Sequence, residues 1–413
     1  MGNTNQEEMI RREKRISDAV ELKLTDRVPF VPQIGNFYAL GYGLTIQNVM
    51  EDITTLIPVM EQYIRKYDPD MVYAPGFYPA AVLECAEYSN ARWPGTYHNL
   101  PENTPYQFID REYMGEDDYE VYLRDPSGFL FGRVLPQKFR GFEGLEYLKA
   151  PVMCGQAIFR LASLSLPPVR AALRRMIETG EALQKNLSGL SEVNSYVKKM
   201  GYPLLGDSVM VNPFDDFADN VRGLIATIID MKTDPHRLNE VLLRWGDATI
   251  PAGVSQAKRA GSKFVFIPLH CGADNFMSLE NYNRYYWPHL KRLLMALIDA
   301  EIIPVPLCEG KYTTRLETLT DIPSGKVVYF FEDVDLERAK SILSGHACFG
   351  AGMKTQLLLQ GSDPGAVTEE TKRTLDICAP GGGFIMTNSL SMDNVDHACF
   401  EAWRDAVRKY GIY

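Results

Sequence analysis

The chain has 413 residues, 46% of them hydrophobic, and a formal net charge of -10 at pH 7. This length suffices for a large core in one barrel domain or in two smaller domains, and we favour one barrel. The sequence has no Lys/Arg-rich run with interleaved aromatics, so the charge pattern argues against a nucleic-acid partner. Small molecules or another protein are the expected partners.

The seven cysteines are scattered along the chain without the dense, regular spacing of a disulfide framework. The N-terminus is charged, and no apolar run is long enough to act as a signal core or to cross a bilayer. We therefore expect a reducing cytoplasmic location and no membrane partner.

Short apolar or β-branched runs recur along the chain, each followed by a polar turn and a stretch with helical periodicity. They cover residues 27–35, 71–77, 203–211, 264–272, 302–308, 326–332, 347–353 and 382–388. This alternation is typical of βαβ units, and eight such runs predict a (β/α)8 TIM barrel. We expect a single domain over residues 1–413, with an N-terminal helix in 1–25 and an insertion or lid in 90–150, where periodicity is weak.

The sequence after residue 277 predicts a helix with a defined start and an irregularity. Ser278 is expected to be the N-cap of a helix that joins the run ending at residue 272 to the run ending at residue 308. Pro288 lies inside this helix and predicts a kink or break near Tyr286.

Residues able to bind a metal or move a proton stand at the ends of the later runs. They are His270 and Cys271, Cys308 and Glu309, Glu332, Asp333 and Asp335, and, at the opening of a run, His346 and Cys348. In a parallel barrel the catalytic groups lie at the carboxyl ends of the strands. The pattern therefore predicts an active site in this part of the chain.

Spacing along an extended strand indicates which side chains share a face. His270 and Cys271 are adjacent, so they should point to opposite faces. His346 and Cys348 are two apart, so they should share a face and both look into the barrel mouth.

Four segments of the chain resemble the uroporphyrinogen decarboxylase superfamily. They are SDAVELKLTDRVPFVP, the HCGAD turn, ILSGHACFGAGMKTQLLLQGSDPGAV and EAWRDAVRKYG. The resemblance covers nearly the whole chain and implies a (β/α)8 barrel. It also implies either a porphyrinogen decarboxylase or a zinc-dependent methyltransferase that exchanges methyl groups with a corrinoid.

Two absences distinguish the branches of this superfamily. The decarboxylases grip their polyanionic substrate with an arginine-rich N-terminal motif, but the matching loop has no arginine between Gln33 and Gly43. The branch that methylates coenzyme M binds zinc through a His-x-Cys pair and a later cysteine. Here His270 and Cys271 are adjacent, and the last run ends without a cysteine.

The resemblance that remains is to methyltransferases that demethylate aryl methyl ethers. It implies a zinc ion acting as a Lewis acid on the ether oxygen, and a Co(I) corrinoid (cobalamin) on a separate protein that accepts the methyl group. The expected zinc ligands are Glu309, Glu332, His346 and Cys348. His270 and Glu309 are the expected catalytic residues, and stabilising the leaving phenolate is the expected task of the site.

Structural interpretations of the same residues stay open. Glu309 can cap a helix or pair with Arg315, and one of the acidic residues around Glu332 can be an N-cap. His346 can be a solvated loop residue and Cys348 an inert core thiol.

Further residues at the predicted mouth are expected to contact the substrate. They are Asn36, Phe37, Tyr78, Asp207, Tyr312, Arg315 and Asn388. A decarboxylase of a small or porphyrin-like acid is the enzymatic alternative, with Arg315 as its carboxylate clamp. A non-catalytic protein that binds a small molecule or tetrapyrrole is the third possibility, and a homodimer is compatible with each.

Overall fold

A computed structural model describes residues 2–148 and 157–413 of the chain. Nine strands occur in these ranges: β1 Val72–Tyr73, β2 Ala91–Arg92, β3 Gln107–Phe108, β4 Leu204–Leu205, β5 Phe264–Leu269, β6 Ile303–Lys311, β7 Val328–Asp333, β8 Cys348–Met353 and β9 Phe384–Asn388. The helices of the first half are α1 Gly2–Val20, α2 Phe37–Leu40, α3 Ile46–Glu51, α4 Ile57–Tyr67, α5 Ala80–Ala86, α6 Tyr119–Arg124, α7 Pro126–Phe129, α8 Leu135–Lys138, α9 Ala157–Arg160 and α10 Pro167–Lys199. Those of the second half are α11 Pro213–Phe217, α12 Leu224–Thr233, α13 Pro235–Ala260, α14 Leu279–Asn281, α15 Trp287–Asp299, α16 Leu336–Leu343, α17 Pro364–Cys378 and α18 His397–Tyr410.

The largest sheet is a parallel one with strand order β5-β6-β7-β8-β9. Its strands read as nearly continuous apolar runs because both of their faces are buried. In β5, for example, Phe264 and Phe266 face one apolar cluster while Val265 and Ile267 face another. The alternation of strand and helix that the sequence predicts is confirmed in this half of the chain.

The first half of the chain has shorter strands. β1 and β4 form a two-stranded parallel sheet, and β2 and β3 form a two-stranded antiparallel one. The run 27–35 makes isolated bridges only, among them a parallel bridge between Phe30 and Met386 of β9. Pro29 and Pro32 interrupt this run, and a proline cannot donate to a ladder.

The fold is therefore a mixed α/β arrangement with parallel sheets. Within the two described ranges the named strands form three separate sheets, and no closed barrel is detected. Isolated contacts nevertheless link the regions around the sheets. Val209, which follows β4, forms a parallel bridge with Phe266 of β5. The amide of Asp70, which precedes β1, donates to the carbonyl of Phe30 at 2.8 Å.

One apolar cluster is enclosed by alternate residues of the parallel strands. Its members include Phe264, Phe266, Val305, Val328, Phe330, Cys348 and Ile385, together with Ile16, Ala19 and Val20 of α1. Because side chains on a strand alternate with a period of two, the next residues on this face are Glu309 after β6 residue Leu307 and Glu332 after β7 residue Phe330. Helix α1 packs against the amino ends of the strands, and the carboxylates stand at the carboxyl ends.

The predicted helix after residue 278 is confirmed in two details. The Ser278 side chain accepts a hydrogen bond from the Asn281 amide, as an N-cap does. A π-helical turn over Tyr282–Tyr286 leads directly into α15 at Trp287, so the α-helical pattern changes where the sequence predicts a kink or break, while the chain remains helical.

The segment that the sequence predicts as an insertion lies between β1 and β4. Its described residues contain the β2–β3 pair and the short helices α6, α7 and α8, and the 33-residue helix α10 follows. Among the described residues, no helix is long and apolar enough to cross a membrane.

Candidate active site

His270 lies directly after β5, with 44% of its side chain exposed at the carboxyl end of the sheet. Its Nδ1 atom is 3.0 Å from Oε2 of Glu309, which belongs to the neighbouring strand β6. Its Nε2 atom is 3.8 Å from Oδ2 of Asp219, in the turn after α11. Two carboxylates from different parts of the chain therefore flank one imidazole ring.

Asp215 is a third carboxylate near His270, and it holds the backbone next to the imidazole. It is fully buried, and its carboxylate accepts hydrogen bonds from the Cys271 amide at 2.9 Å and the Tyr286 hydroxyl at 2.5 Å. The bond to Cys271 fixes the backbone next to His270. Cys271 is buried, and burial together with the charges of Asp215, Asp219 and Glu309 raises its pKa. The opposite orientation of the His270 and Cys271 side chains stays a prediction.

The charges around His270 favour its protonated form. Burial alone would lower the pKa of His270, but the hydrogen bond and charge of Glu309, with the charges of Asp215 and Asp219, raise that pKa to about 9. Burial raises the pKa of Asp219 to about 7; the charge of His270 opposes this rise, and the charges of the neighbouring aspartates add to it. Burial also raises the pKa of Asp215. At neutral pH the site therefore holds an imidazolium beside a carboxyl group that is partly protonated.

The Nε2 atom is the free side of the imidazolium. Its distance of 3.8 Å to Asp219 is longer than a hydrogen bond, whereas Nδ1 is within hydrogen-bond range of Glu309. The N–H at Nε2 is consequently available to an acceptor atom of a bound molecule. The arrangement is suited to proton transfer to an oxygen.

A second polar chain runs beside Asp219. Lys138 donates to the Asn220 side chain, Asn220 donates to Asp216 at 2.8 Å, and Trp245 donates to the other Asp216 oxygen at 2.8 Å. Burial lowers the pKa of Lys138 to about 8, although Asp216 and Asp219 partly offset this effect. The lysine charge is thus balanced within the protein.

A cavity of about 350 Å³ lies on the other side of Tyr73 and Tyr78 from the carboxylates around His270, and His270, Glu309 and Asp219 are not among its lining residues. Its lining residues include Tyr73, Phe77, Tyr78 and Tyr106, and it extends to Asn36 and Asp393. Burial raises the pKa of Tyr73, with the Glu309 charge adding to the rise, and the same holds for Tyr78 with the charge of Asp219. These two tyrosines therefore join the cavity to the carboxylates around His270.

Glu332 lies near Glu309 but has a hydrogen bond of its own. Its Oε2 atom accepts from the Gly310 amide at 2.7 Å. Gly310 has a positive φ of 76°, and a Cβ atom there would lie 2.9 Å from Cβ of Ala273, so the position requires glycine. Of the acidic residues around Glu332, Asp335 is the N-cap of α16, as one open interpretation expected.

His346 and Cys348 are not at this end of the sheet. His346 is exposed in the turn before β8, and Cys348 is the buried first residue of β8. Because β8 runs parallel to β7, with Cys348 paired to Val328 at the start of that strand, both lie at the amino ends of the strands. The expectation that they look into the mouth is corrected: spacing indicated their shared face but not their end of the strand.

The four predicted zinc ligands are therefore not brought together. Glu309 and Glu332 stand at the carboxyl ends of their strands and His346 and Cys348 at the opposite ends. Across residues 2–148 and 157–413, no cluster of three or more His, Cys, Asp or Glu side chains is arranged to hold a metal ion. The predicted ligand set does not fit a zinc site.

Two of the predicted substrate contacts line the cavity, namely Asn36 and Tyr78. Phe37 does not, since it is fully buried and its ring lies against those of His397 and Phe400. Tyr312 is also fully buried, with its hydroxyl so close to Gly272 that a Cβ there would lie 2.2 Å away.

The remaining predicted contacts have structural partners. Arg315 is buried and donates to the carbonyls of Gly272, Ala273 and Met277, so it holds the turn after β5 and is no carboxylate clamp. Asp207 forms an ion pair with Lys198 at 2.8 Å. The Asn388 side chain bonds both backbone groups of Gln33 and thus joins the ends of two chain segments.

Several site residues were missed in the sequence, above all Asp215 and Asp219. A signal for them exists, because they follow the run 203–211 and are four residues apart, which places both on one face of a helix. Tyr106, which stacks on Tyr78 with ring centroids 4.3 Å apart, gave no such signal within residues 90–150.

Comparison with known proteins adds a likeness of fold. No protein-family model and no curated protein matches the sequence. The solved structure of a methyltransferase from Methanosarcina mazei is similar, with a TM-score of 0.64 over 97% of this chain and 98% of that chain. The two sequences are 12% identical, so the likeness extends to the shared fold alone.

Proposed function

We propose that the protein is a methyltransferase that removes the methyl group from a small methoxylated, aromatic compound. The observation that carries the proposal is the protonated His270, held at Nδ1 by Glu309 and free at Nε2, beside a cavity with aromatic walls. The likeness in fold to a methyltransferase supports the same class of reaction. The acceptor in this proposal is the Co(I) corrinoid of a partner protein.

The proposed fold is a (β/α)8 barrel in which the first three runs supply short strands. Hydrogen bonds support this order: the run 27–35 contacts β9, Asp70 contacts Phe30, β1 pairs with β4, and Met210 contacts Phe266 of β5. The apolar cluster with alternate residues from these strands is what a filled barrel interior requires. His270 and Glu309 would then stand at the catalytic end.

The proposed chemistry of this chain is proton donation to the leaving oxygen. As the O–CH3 bond breaks, its electron pair stays on oxygen, and the proton at Nε2 of His270 moves to that oxygen to give a neutral phenol. Glu309 keeps the imidazolium oriented, and neutral His270 is left behind. Asp219, whose pKa is raised to about 7, is placed 3.8 Å away to return a proton to the ring.

A corrinoid in its Co(I) state would supply the nucleophile that takes the methyl group, and a separate protein would present it at the open end of the strands. Zinc has no step in this proposal, because the residues predicted to bind it lie at opposite ends of the strands. Protonated His270 takes the place of the predicted Lewis acid. Both act by reducing the negative charge that develops on the leaving oxygen.

The two rival functions lack comparable support. A decarboxylase would need a cationic clamp, and Arg315 is committed to backbone carbonyls. A tetrapyrrole-binding protein would need more room than the 350 Å³ cavity beside His270 offers.

The experiment that tests the proposal is methyl transfer to free cob(I)alamin from a series of methoxyarenes whose phenol products differ in acidity. A proton donor matters most when the leaving phenol is a weak acid. We therefore expect His270→Gln to slow transfer by about 10²–10⁴-fold for weakly acidic phenols and much less for a nitrophenol. His289→Gln, which changes a buried histidine of α15, is the matched control.

Equal loss across the series would contradict proton donation by His270. Metal analysis of the same samples adds a second readout. One zinc per chain that is lost in Glu309→Ala would favour the Lewis-acid mechanism over this proposal.

A further inference from the structure

We infer that the methyl donor is an uncharged or cationic single-ring methoxyarene, and that the site discriminates against donors with a carboxylate. The inference rests on the proposed function and names the substrate class of the same site. It comes from the size, the walls and the charges of the cavity beside His270.

The size of the cavity limits the ligand to about one substituted ring. Its volume of about 350 Å³ lies at the small end of the range for ligand sites. Ile46 and Met50 of α3 close one side, and Ile34 lies on the run that bridges β9.

The walls fit a flat ring. Tyr78 and Tyr106 stack with an interplanar angle of 17° and a centroid distance of 4.3 Å, and 51% of Tyr78 remains exposed. Tyr73 lies against Phe266 of β5 in an edge-to-face contact, so its ring is fixed by the sheet. A methoxyarene stacked on these rings gains aromatic contacts that an aliphatic ether lacks.

The charges of the cavity disfavour an anion. None of the described residues that line it is Lys, Arg or His, and Asp393 supplies a carboxylate whose Oδ1 accepts from the Asn36 amide at 2.8 Å. Beyond Tyr73 and Tyr78 lie the further carboxylates Glu309 and Asp219. A bound carboxylate would face like charges without a partner, which is costly in a partly desolvated site.

The cations around His270 are already balanced by carboxylates or carbonyls. Lys138 donates to Asn220 and lies beside Asp216 and Asp219. Arg315 is buried against backbone carbonyls of the turn after β5. His270 is paired with Glu309 through Nδ1, and its free Nε2 atom lies 3.8 Å from the carboxylate of Asp219. A carboxylated donor would have to compete with these internal partners.

The test is calorimetric binding of three ligands to the intact chain at pH 7 without corrinoid: 3-methoxyphenol, 3-methoxybenzylamine and 3-methoxybenzoate. We expect the phenol and the amine to bind at least roughly tenfold more tightly than the benzoate. Asp393→Asn should improve benzoate binding relative to phenol binding by roughly threefold, because it removes a like charge while Asn retains an oxygen for the Asn36 amide. Asp207→Asn, which alters a carboxylate paired with Lys198 away from the cavity, should change none of the three.

A second variant tests the walls. Tyr106→Leu should weaken binding of all three ligands by roughly threefold to tenfold, since it removes the stacked ring. Benzoate binding equal to or tighter than phenol binding in the wild type would overturn the inference, as would an unchanged preference in Asp393→Asn.

Failure of the methyltransferase proposal and failure of the substrate inference give different experimental results. If the phenol binds with the expected preference but no methyl group is transferred to cob(I)alamin, the site assignment stands and the methyltransferase proposal fails. If transfer occurs but is fastest from the benzoate, the methyltransferase proposal stands and the inference fails.

Discussion

Both ends of the parallel strands carry residues that can bind a metal or move a proton, but the surroundings of these residues differ. At the carboxyl ends, the His270 ring and the Glu309 carboxylate lie 3.0 Å apart, with a second carboxylate, Asp219, on the other side of the ring. At the amino ends, His346 is exposed in a turn and Cys348 is buried in an apolar cluster with residues of α1. Residue type and spacing therefore do not define a site. What decides is the end of the strand, carboxyl or amino, at which the residues lie.

The environments of the two ends explain this difference. Several charges meet around His270, and together they hold a proton there with a pKa of about 9. Burial raises the pKa of the Cys348 thiol, so it stays protonated and unreactive. One end of the sheet is arranged for proton transfer and the other for packing.

The largest expected effect contrasts the two histidines. His270→Gln should reduce methyl transfer from 3-methoxyphenol by about 10²–10⁴-fold, the usual contribution of a proton donor. His346→Gln should leave the rate within about twofold, because its side chain contacts solvent. Initial rates with cob(I)alamin as acceptor test both, and a comparable loss in His346→Gln would refute the contrast.

The next effect is on the pH dependence of the rate, which should change in a variant of Glu309 and not in a variant of an exposed acidic residue. The proton donor must be charged, so the rate should fall as the pH rises through the His270 pKa of about 9. Glu309→Gln keeps an acceptor oxygen but removes the charge that helps to raise this pKa, so the fall should move to lower pH and the maximal rate should drop by about tenfold.

The control for this profile is Glu317→Gln. Glu317 is exposed and pairs with Arg338, away from the site, so its profile should match that of the wild type. An alkaline limb that does not move in Glu309→Gln would show that His270 is not the titrating group.

A smaller effect concerns stability and pH. The pKa of His270 in the folded chain is above the unfolded value of about 6.5, so its stabilising contribution is complete below that pH and is lost as the pH rises through about 9. Because 44% of the side chain is exposed, solvent screening reduces the expected loss of unfolding free energy to about 1 kcal/mol. Urea unfolding at pH 6 and 9.5 measures it, and in His270→Gln this part of the loss should disappear.

The smallest effect is expected at the opposite end of the sheet. Cys348→Ala should cost about 1 kcal/mol of unfolding free energy, through lost packing, and change neither activity nor metal content. Metal analysis and urea unfolding of this variant check the result. A loss of bound metal in Cys348→Ala would restore the predicted ligand role of this residue.

The sequence predicts the second half of the fold well because its strands are long apolar runs with helices of clear periodicity between them. It predicts the first half less well. Prolines such as Pro29 and Pro32 remove ladder donors, so the run 27–35 forms isolated bridges in place of a strand. Residues 90–150 form short helices whose packing depends on distant contacts.

The part of the site that follows long apolar strands was predicted from the sequence, and the rest was not. His270 and Glu309 follow strong strand signals and are brought together by the sheet. The contact of the Cys271 amide with Asp215 and that of His270 with Asp219 join residues about fifty positions apart, which no local spacing encodes. Arg315 was expected to bind substrate because it is a cation near the mouth, but three backbone carbonyls take its donors.

The most direct test of the account is a nitrogen NMR titration of the His270 imidazole, in the wild type and in Glu309→Gln, with the signal assigned through His270→Gln. We predict that His270 titrates near pH 9 in the wild type and moves toward the ordinary value of about 6.5 in the variant. A wild-type His270 that titrates near pH 6.5 and does not respond to Glu309→Gln would contradict it.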